Sequence, residues 1–202
     1  MLELAILGSL KDRPMHGYQL SREMGEALGG FWRVSYGSLY PTLRRLEREG
    51  EVETVPDENA GSGRRKHVYR ITTKGESAFL ELLQAAPGDT NSEDTRFRVR
   101  LAFFRYLPPE TRIRLLERRR AALQERLNTM ADPQRASRSR DDDYIRALKD
   151  HGRRATRSDI EWLDDLILAE RAKSADRELR QSSGRGGKER RTSTLRRKER
   201  TG

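Results

Sequence analysis

Apolar residues over the first 85 positions fall into short blocks whose period changes from helical to alternating. Leu2 to Leu10 is almost continuously aliphatic, with Leu4, Ala5 and Leu7 among its expected buried positions, and KDRP breaks it at Pro14. Tyr18, Leu20, Met24 and Leu28 then suggest a second helix that ends at the pair Gly29 and Gly30. In FWRVSYGSLYPTLRRLEREG, Phe31 to Gly50, the residues Leu39, Leu43 and Leu46 share one arc, with Tyr36 beside them. Ser38, Pro41, Arg44, Arg45 and Arg48 lie on the opposite side. Ser35 or Ser38 caps the start of this third helix; a Ser38 cap would leave Pro41 in the first turn, where its missing donor is not needed. Gly50 stops it. EVETVP and KHVYRIT alternate as strands around the turn-rich DENAGSGRR, which makes a hairpin with a long basic tip. Thr72 or Thr73 caps a fourth helix that buries Ala78, Phe79, Leu82 and Leu83.

Three helices followed by a two-stranded hairpin is the order of a winged helix-turn-helix, in which the third helix is offered to DNA. The second half is also helical. RFRVRLAFFRYL carries Phe97, Leu101 and Phe104, and the next segment places Ile113, Leu116, Arg120, Leu123, Leu127 and Met130 in alternating steps of three and four, a coiled-coil-like seam. DPQRASRSR is a break. Helical spacing then resumes with Tyr144, Ile145, Leu148, Ala155, Trp162, Leu163, Leu166 and Ile167, and Asp141 to Asp143 suit its N-terminal dipole. Such faces need a partner. The fold class is therefore mainly α: a winged helix-turn-helix with a two-stranded wing over residues 1–85, a helical dimerisation region over 92–173, and a disordered basic tail over 174–202.

Composition changes this picture in one respect. Of the 202 residues 34% are hydrophobic and 37% charged, a lean core for the length, and the net charge is +10. The charge is unevenly spread. Met1 to Ala85 holds 12 basic and 12 acidic residues, whereas Arg171 to Gly202 holds 12 basic and 4 acidic, so the excess belongs to the tail. A role for the first half in binding DNA must rest on where its charges sit. With no cysteine, disulfides and thiolate metal sites are excluded. No apolar run spans a bilayer, and MLELAILGSL lacks the pattern of a secretory leader, so the expected location is the cytoplasm, without a membrane partner.

The blocks HGYQL, FWRVSYGSLYPTLRRLEREG and GRRKHVYRITTKGE, in that order and spacing, resemble the corresponding segments of PadR-type transcriptional regulators. The resemblance covers Met1 to about Leu83. The middle block is the most specific, because a generic winged helix does not require Tyr-Gly-Ser-Leu-Tyr-Pro. The wing tip departs from the family pattern: Gly63 is followed by Arg64, Arg65 and Lys66 where the family often has Gly-Arg-Pro-Arg. The second half resembles, less diagnostically, the dimerisation region of PadR relatives. What the resemblance implies is a homodimeric regulator, a repressor, on an inverted-repeat operator in double-stranded DNA. It also implies a small aromatic effector held in an aromatic cavity at the dimer interface, with Trp162 as the local candidate beside Leu116, Arg120, Leu123, Leu127, Leu163 and Leu166. A packed core role for Trp162 is the competing reading.

Base edges in the major groove present donor and acceptor patterns, so a reading helix needs short or forked hydrogen-bonding groups on one face. Ser38, Thr42 and Arg45 are the expected contacts to base edges or adjacent phosphates, and Arg44 and Arg48 the expected phosphate contacts. Tyr36 and Tyr40 either orient the helix or donate hydroxyls to phosphate, and Tyr36 has a core role as its alternative. Phe31 and Trp32 read as core plugs. Arg64, Arg65 and Lys66 on the wing tip can follow a phosphate line or enter a minor groove, and Lys74 adds a backbone contact. His16, His67 and His151 are far apart, without cysteines or paired carboxylates, and read as structural; no cofactor, metal or catalytic set is expected, and the chain does not read as an enzyme. Arg120 within an apolar seam either pairs with an acid across the interface, for which Glu161, Asp164 and Asp165 are candidates, or marks a loosened stretch. The rival from another class is a helical scaffold or RNA-associated protein whose tail binds acidic polymers without sequence preference.

Overall fold

The computed structural model describes residues 1–27, 29, 34–56, 67–85, 93–130 and 142–198, with side chains as far as residue 177 and at Arg180. The chain divides into two compact units, Met1–Tyr106 and Leu107–Gly202.

In the first unit, α1 (Leu2–Leu10) is the central element. Its residues from Leu4 to Leu10 are all buried, as expected of a helix apolar on every side. Around it lie α2 (Gly17–Ala27), α3 (Tyr36–Arg48), α4 (Thr73–Gln84) and α5 (Glu93–Ala102), which leads to a short 3-10 turn at Phe104–Tyr106. Gly8 lets the Phe103 ring lie against α1: a Cβ there would fall 2.5 Å from the ring. Phe97 and Phe104 meet edge to face, with centroids 6.2 Å apart, and hold α5 in place.

The sheet has one strand more than the alternation predicts. β2 (Val52–Val55) and β3 (Val68–Ile71) form the expected antiparallel hairpin, with Val52 opposite Ile71 and Val55 opposite Val68. Met15–His16 adds β1 on the other side of β3, giving the order β1-β3-β2. Two residues leave no periodicity to detect. The His16 side chain ties this edge down, its Nδ1 donating to the His67 carbonyl at 3.2 Å.

Of the two candidate caps for α3, the structure has Ser35, whose carbonyl accepts from the Ser38 and Leu39 amides at 3.1 and 3.0 Å. Pro41 is consequently inside the helix and not in its first turn. Lacking an N–H, it leaves the Gly37 carbonyl without the usual i+4 donor, and both residues lie on the exposed side, where water can serve instead. The far end closes as expected. Gly50 has φ +72°, its amide donates to Glu47 at 3.0 Å, and the Glu51 amide donates to Leu46 at 2.9 Å, the paired bonds of a Schellman cap. Gly50→Ala meets open space for its methyl, so its cost is purely conformational. A loss of about 1–2 kcal/mol is the expected result in a chemical-denaturation measurement.

Thr72 caps α4, its hydroxyl accepting from the Gly75 amide at 3.1 Å. Phe79 and Leu83 are buried in this helix; Ala78 and Leu82 are half-buried. In α2, Leu20 and Met24 are buried as predicted, but Tyr18 is 56% exposed and does not belong to the core. Leu28, Gly30, Phe31 and Trp32 lie outside the described residues, and Gly29 has the positive φ, +66°, that a helix-ending glycine supplies.

The second unit consists of α6 (Pro109–Met130) packed on α7 (Asp143–Lys198). Arg112 pairs with Glu170 at 3.0 Å and Arg120 with Asp164 at 2.6 Å, so the two helices run antiparallel. Leu116, Leu123, Ile160, Leu163 and Ile167 are buried between them; Leu127 and Leu166 are half-buried. Arg120 therefore occupies the edge of the apolar seam, half exposed, with one of the three acids expected for it. The helix runs past Ser174 to Lys198. No described side chain beyond Leu168 is buried, so nothing there adds to a core; local support comes from pairs such as Arg180 with Asp176 at 2.9 Å.

Candidate nucleic-acid interface

α3 is amphipathic in a way that fixes which side faces out. Leu39, Leu43 and Leu46 are all fully buried, against α1 and α2. That anchors the helix along its length and turns Gly37, Ser38, Pro41, Arg44 and Arg48 to the exposed side. Tyr36 is 55% exposed, so the core alternative for it fails. It stacks on Tyr40, with centroids 6.3 Å apart, and forms an aromatic border on one flank. Tyr40 also rests against Gly17, where a Cβ would come within 2.9 Å of the ring, so the start of α2 is fitted to α3.

The other flank carries hydroxyls. Ser38 Oγ is 2.8 Å from Ser35 Oγ and 3.1 Å from the Ser35 carbonyl, and Thr42 Oγ1 donates to the Ser38 carbonyl at 2.8 Å. Each hydroxyl keeps acceptor capacity toward the outside.

The arginines of α3 differ. Among the described residues, Arg44 and Arg48 have no hydrogen-bond or ion-pair partner and are exposed. Arg45 is engaged twice: Nη2 binds Glu3 of α1, and Nη1 lies 3.2 and 3.3 Å from the two carboxylate oxygens of Glu49. Partial burial works against its charge, but Glu3 and Glu49 outweigh it and push its pKa up. The Glu49 partner has a local signal, an acid four residues after a base on one helix. Glu3, 42 residues away, has none.

Lys74 is also committed: its Nζ donates to the Glu49 carbonyl at 2.5 Å, at the negative end of α3. Thr72 Oγ1 donates to the Gly50 carbonyl at 2.7 Å, and the Thr54 hydroxyl donates to Glu47 at 2.6 Å. The C-terminal end of α3 is thereby joined to both sides of the wing base. Burial, and then Glu49, raise the pKa of Glu51 in the same region. Arg64, Arg65 and Lys66 lie outside the described residues.

What this surface offers is a low backbone floor at Gly37 and Pro41, two exposed cations, two hydroxyls and an aromatic edge. Such groups suit a phosphate backbone with base edges beside it.

Two family models match separate stretches of the chain. Residues 6–81 match the model of the transcriptional regulator PadR-like family. Transcriptional regulator Rv3488 of Mycobacterium tuberculosis is 39% identical over 80 residues, 40% of this chain and 70% of that protein. The chain belongs to the PadR-like family. Its members are transcriptional regulators, with a DNA-binding winged helix, and not enzymes. Residues 95–169 match a second model, described as virulence activator alpha C-term. The negative transcriptional regulator PadR of Bacillus subtilis is 31% identical over 83 residues, 41% of this chain and 45% of that protein. A crystal structure of Bacillus subtilis PadR in complex with operator DNA matches over 84% of this chain and 97% of its own, at 21% identity and a TM-score of 0.42. No helix among the described residues is long and apolar enough to cross a membrane.

Proposed function

We propose that this PadR-like protein acts as a homodimeric repressor, with α3 in the major groove of an inverted-repeat operator. The observation that carries the reading is the outer face of α3, where Arg44 and Arg48 have no partner among the described residues while three buried leucines hold the helix from behind. Ser38 and Thr42 meet base edges, Arg44 and Arg48 meet phosphates or a guanine edge, and Tyr36 and Tyr40 direct hydroxyls to the backbone. Arg64, Arg65 and Lys66 extend the contact from the wing. Lys74 acts indirectly, through the carbonyl of Glu49.

The repressor role follows the negative regulator of Bacillus subtilis to which the first half is similar. Dimerisation is assigned to residues 92–173. Support comes from the apolar groups that α7 leaves in solvent: Tyr144 is 84% exposed, Leu148 70% and Leu168 62%. Trp162, 42% exposed on the same helix, is the group that a small aromatic effector would contact in the dimer.

The test is selection of duplexes from a random pool by the full-length chain, followed by titration of variants. Half-sites about 10 bp apart, or a multiple of that, are expected. Arg44→Ala should weaken binding to the selected duplex by roughly 1–3 kcal/mol. Recovery of single asymmetric sites bound by monomer, together with unchanged affinity of the variant, would sink the reading.

A further inference from the structure

The two carboxylates on Arg45 are out of place on a face meant for phosphates. Glu49 comes from the same helix, but Glu3 comes from the first turn of α1, where a carboxylate is favoured by the helix dipole whether or not Arg45 is present. Its position is firm, because Leu4 through Leu10 behind it are buried. Arg45 binds Glu3 through one terminal nitrogen while Glu49 takes the other. The side chains of Glu3 and Arg45 remain 35% and 38% exposed. Solvent-screened pairs of this kind are weak enough to exchange for another anion.

Sequence-indifferent affinity for DNA is set by how many phosphates are neutralised, and each one adds about 0.9 to the slope of log affinity against log salt. An arginine already balanced by two carboxylates contributes little to that count. We propose that Glu3 is a specificity-determining residue: by holding Arg45 it keeps a third cation of α3 away from phosphates and so limits binding to non-operator DNA. The proposal rests on the DNA-reading function assigned to α3 above. Glu3 acts through Arg45 and is a positioning residue.

The experiment uses the full-length chain with Glu3→Gln, Arg45→Gln and both together, titrated on the selected duplex and on a scrambled one across a salt series. Glu3→Gln is expected to bind scrambled DNA more tightly at low salt. Its slope should steepen by up to about 0.9, since Glu49 still holds the other terminal nitrogen, which is an extra loss of affinity of at most three- to fourfold between roughly 50 and 200 mM salt. The ratio of operator to scrambled affinity should fall. The double variant should behave like Arg45→Gln, since the gain needs the freed guanidinium. An unchanged slope in Glu3→Gln would overturn the proposal, as would a gain that survives in the double variant. Weaker binding to both duplexes with a lowered melting temperature would make the pair a structural strut instead, and also overturn it. A wild-type chain with no preference for the selected duplex fails at the earlier step, the DNA-reading function itself.

Discussion

Gly75→Ala is expected to destabilise the first unit by roughly 3 kcal/mol, whereas the same exchange at an open helical glycine stabilises by up to about 1 kcal/mol. The reason is distance. A methyl on Gly75 would sit 2.0 Å from the carbonyl oxygen of Glu51 and 2.9 Å from its carbonyl carbon. Backbone atoms give way less readily than a flexible side chain, and these are bonded in both directions. The Glu51 carbonyl accepts from the Thr72 amide at 3.0 Å, and the Glu51 amide donates to Leu46 in the cap of α3. Room for the methyl would come only by moving the cap of α3, the start of the wing or the start of α4, all of which meet there. A urea titration of Gly75→Ala against wild type measures the loss. Weakened binding to the selected duplex should accompany it, because the end of α3 and the wing base shift together. A loss below about 1 kcal/mol, the ordinary range for a surface change, would show that the junction yields.

The same junction shows what was and was not legible in the sequence. The stripe of Leu39, Leu43 and Leu46, the Gly50 stop, the Thr72 cap and the two alternating strands of the hairpin are all local patterns, written within a few residues, and each appears in the structure. Long-range matches were not legible. Nothing near Gly75 announces that Glu51 lies against it, and nothing near Glu3 announces Arg45. Strand β1 was missed because its pairing to Tyr69 and Val68 is tertiary, not periodic. On the face of α3 the residue types were readable but not their availability. Arg44, Arg45 and Arg48 are chemically identical in sequence, and only the packing of α1 separates the engaged one from the other two. Arg120 is the opposite case: its misfit in an apolar seam called for an acid across an interface or a loosened stretch, and Asp164 of the same chain pairs with it. Past Ser174 no described side chain is buried, in keeping with the core-free basic tail that the composition predicts.

Phe79→Ala is expected to have the largest effect on stability, about 3–5 kcal/mol, a large share of the roughly 5–15 kcal/mol of an ordinary domain. Phe79 is fully buried in α4, and its ring is met edge-on by two others: Phe103 at 5.8 Å and Tyr106 at 5.5 Å, both nearly perpendicular. Phe103 in turn occupies the space that Gly8 leaves on α1. One ring therefore joins the helix behind the wing to the central helix through residues that follow α5. Tyr106 is itself held at its hydroxyl, which donates to Asp12, while Arg105 lies over its ring at 4.8 Å. The lost phenyl leaves a cavity that these neighbours cannot close without releasing Asp12 or moving away from Gly8. This arrangement also bears on where the DNA-binding unit ends. If residues 1–85 were self-sufficient, Phe103→Ala would be nearly silent; the packing instead predicts that it costs a similar amount to Phe79→Ala, and that the double variant costs less than the two added together, because each removes the other's partner. Denaturation of the two single variants and the double in the full-length chain measures all three quantities. A silent Phe103→Ala, or full additivity, would return the boundary to Ala85.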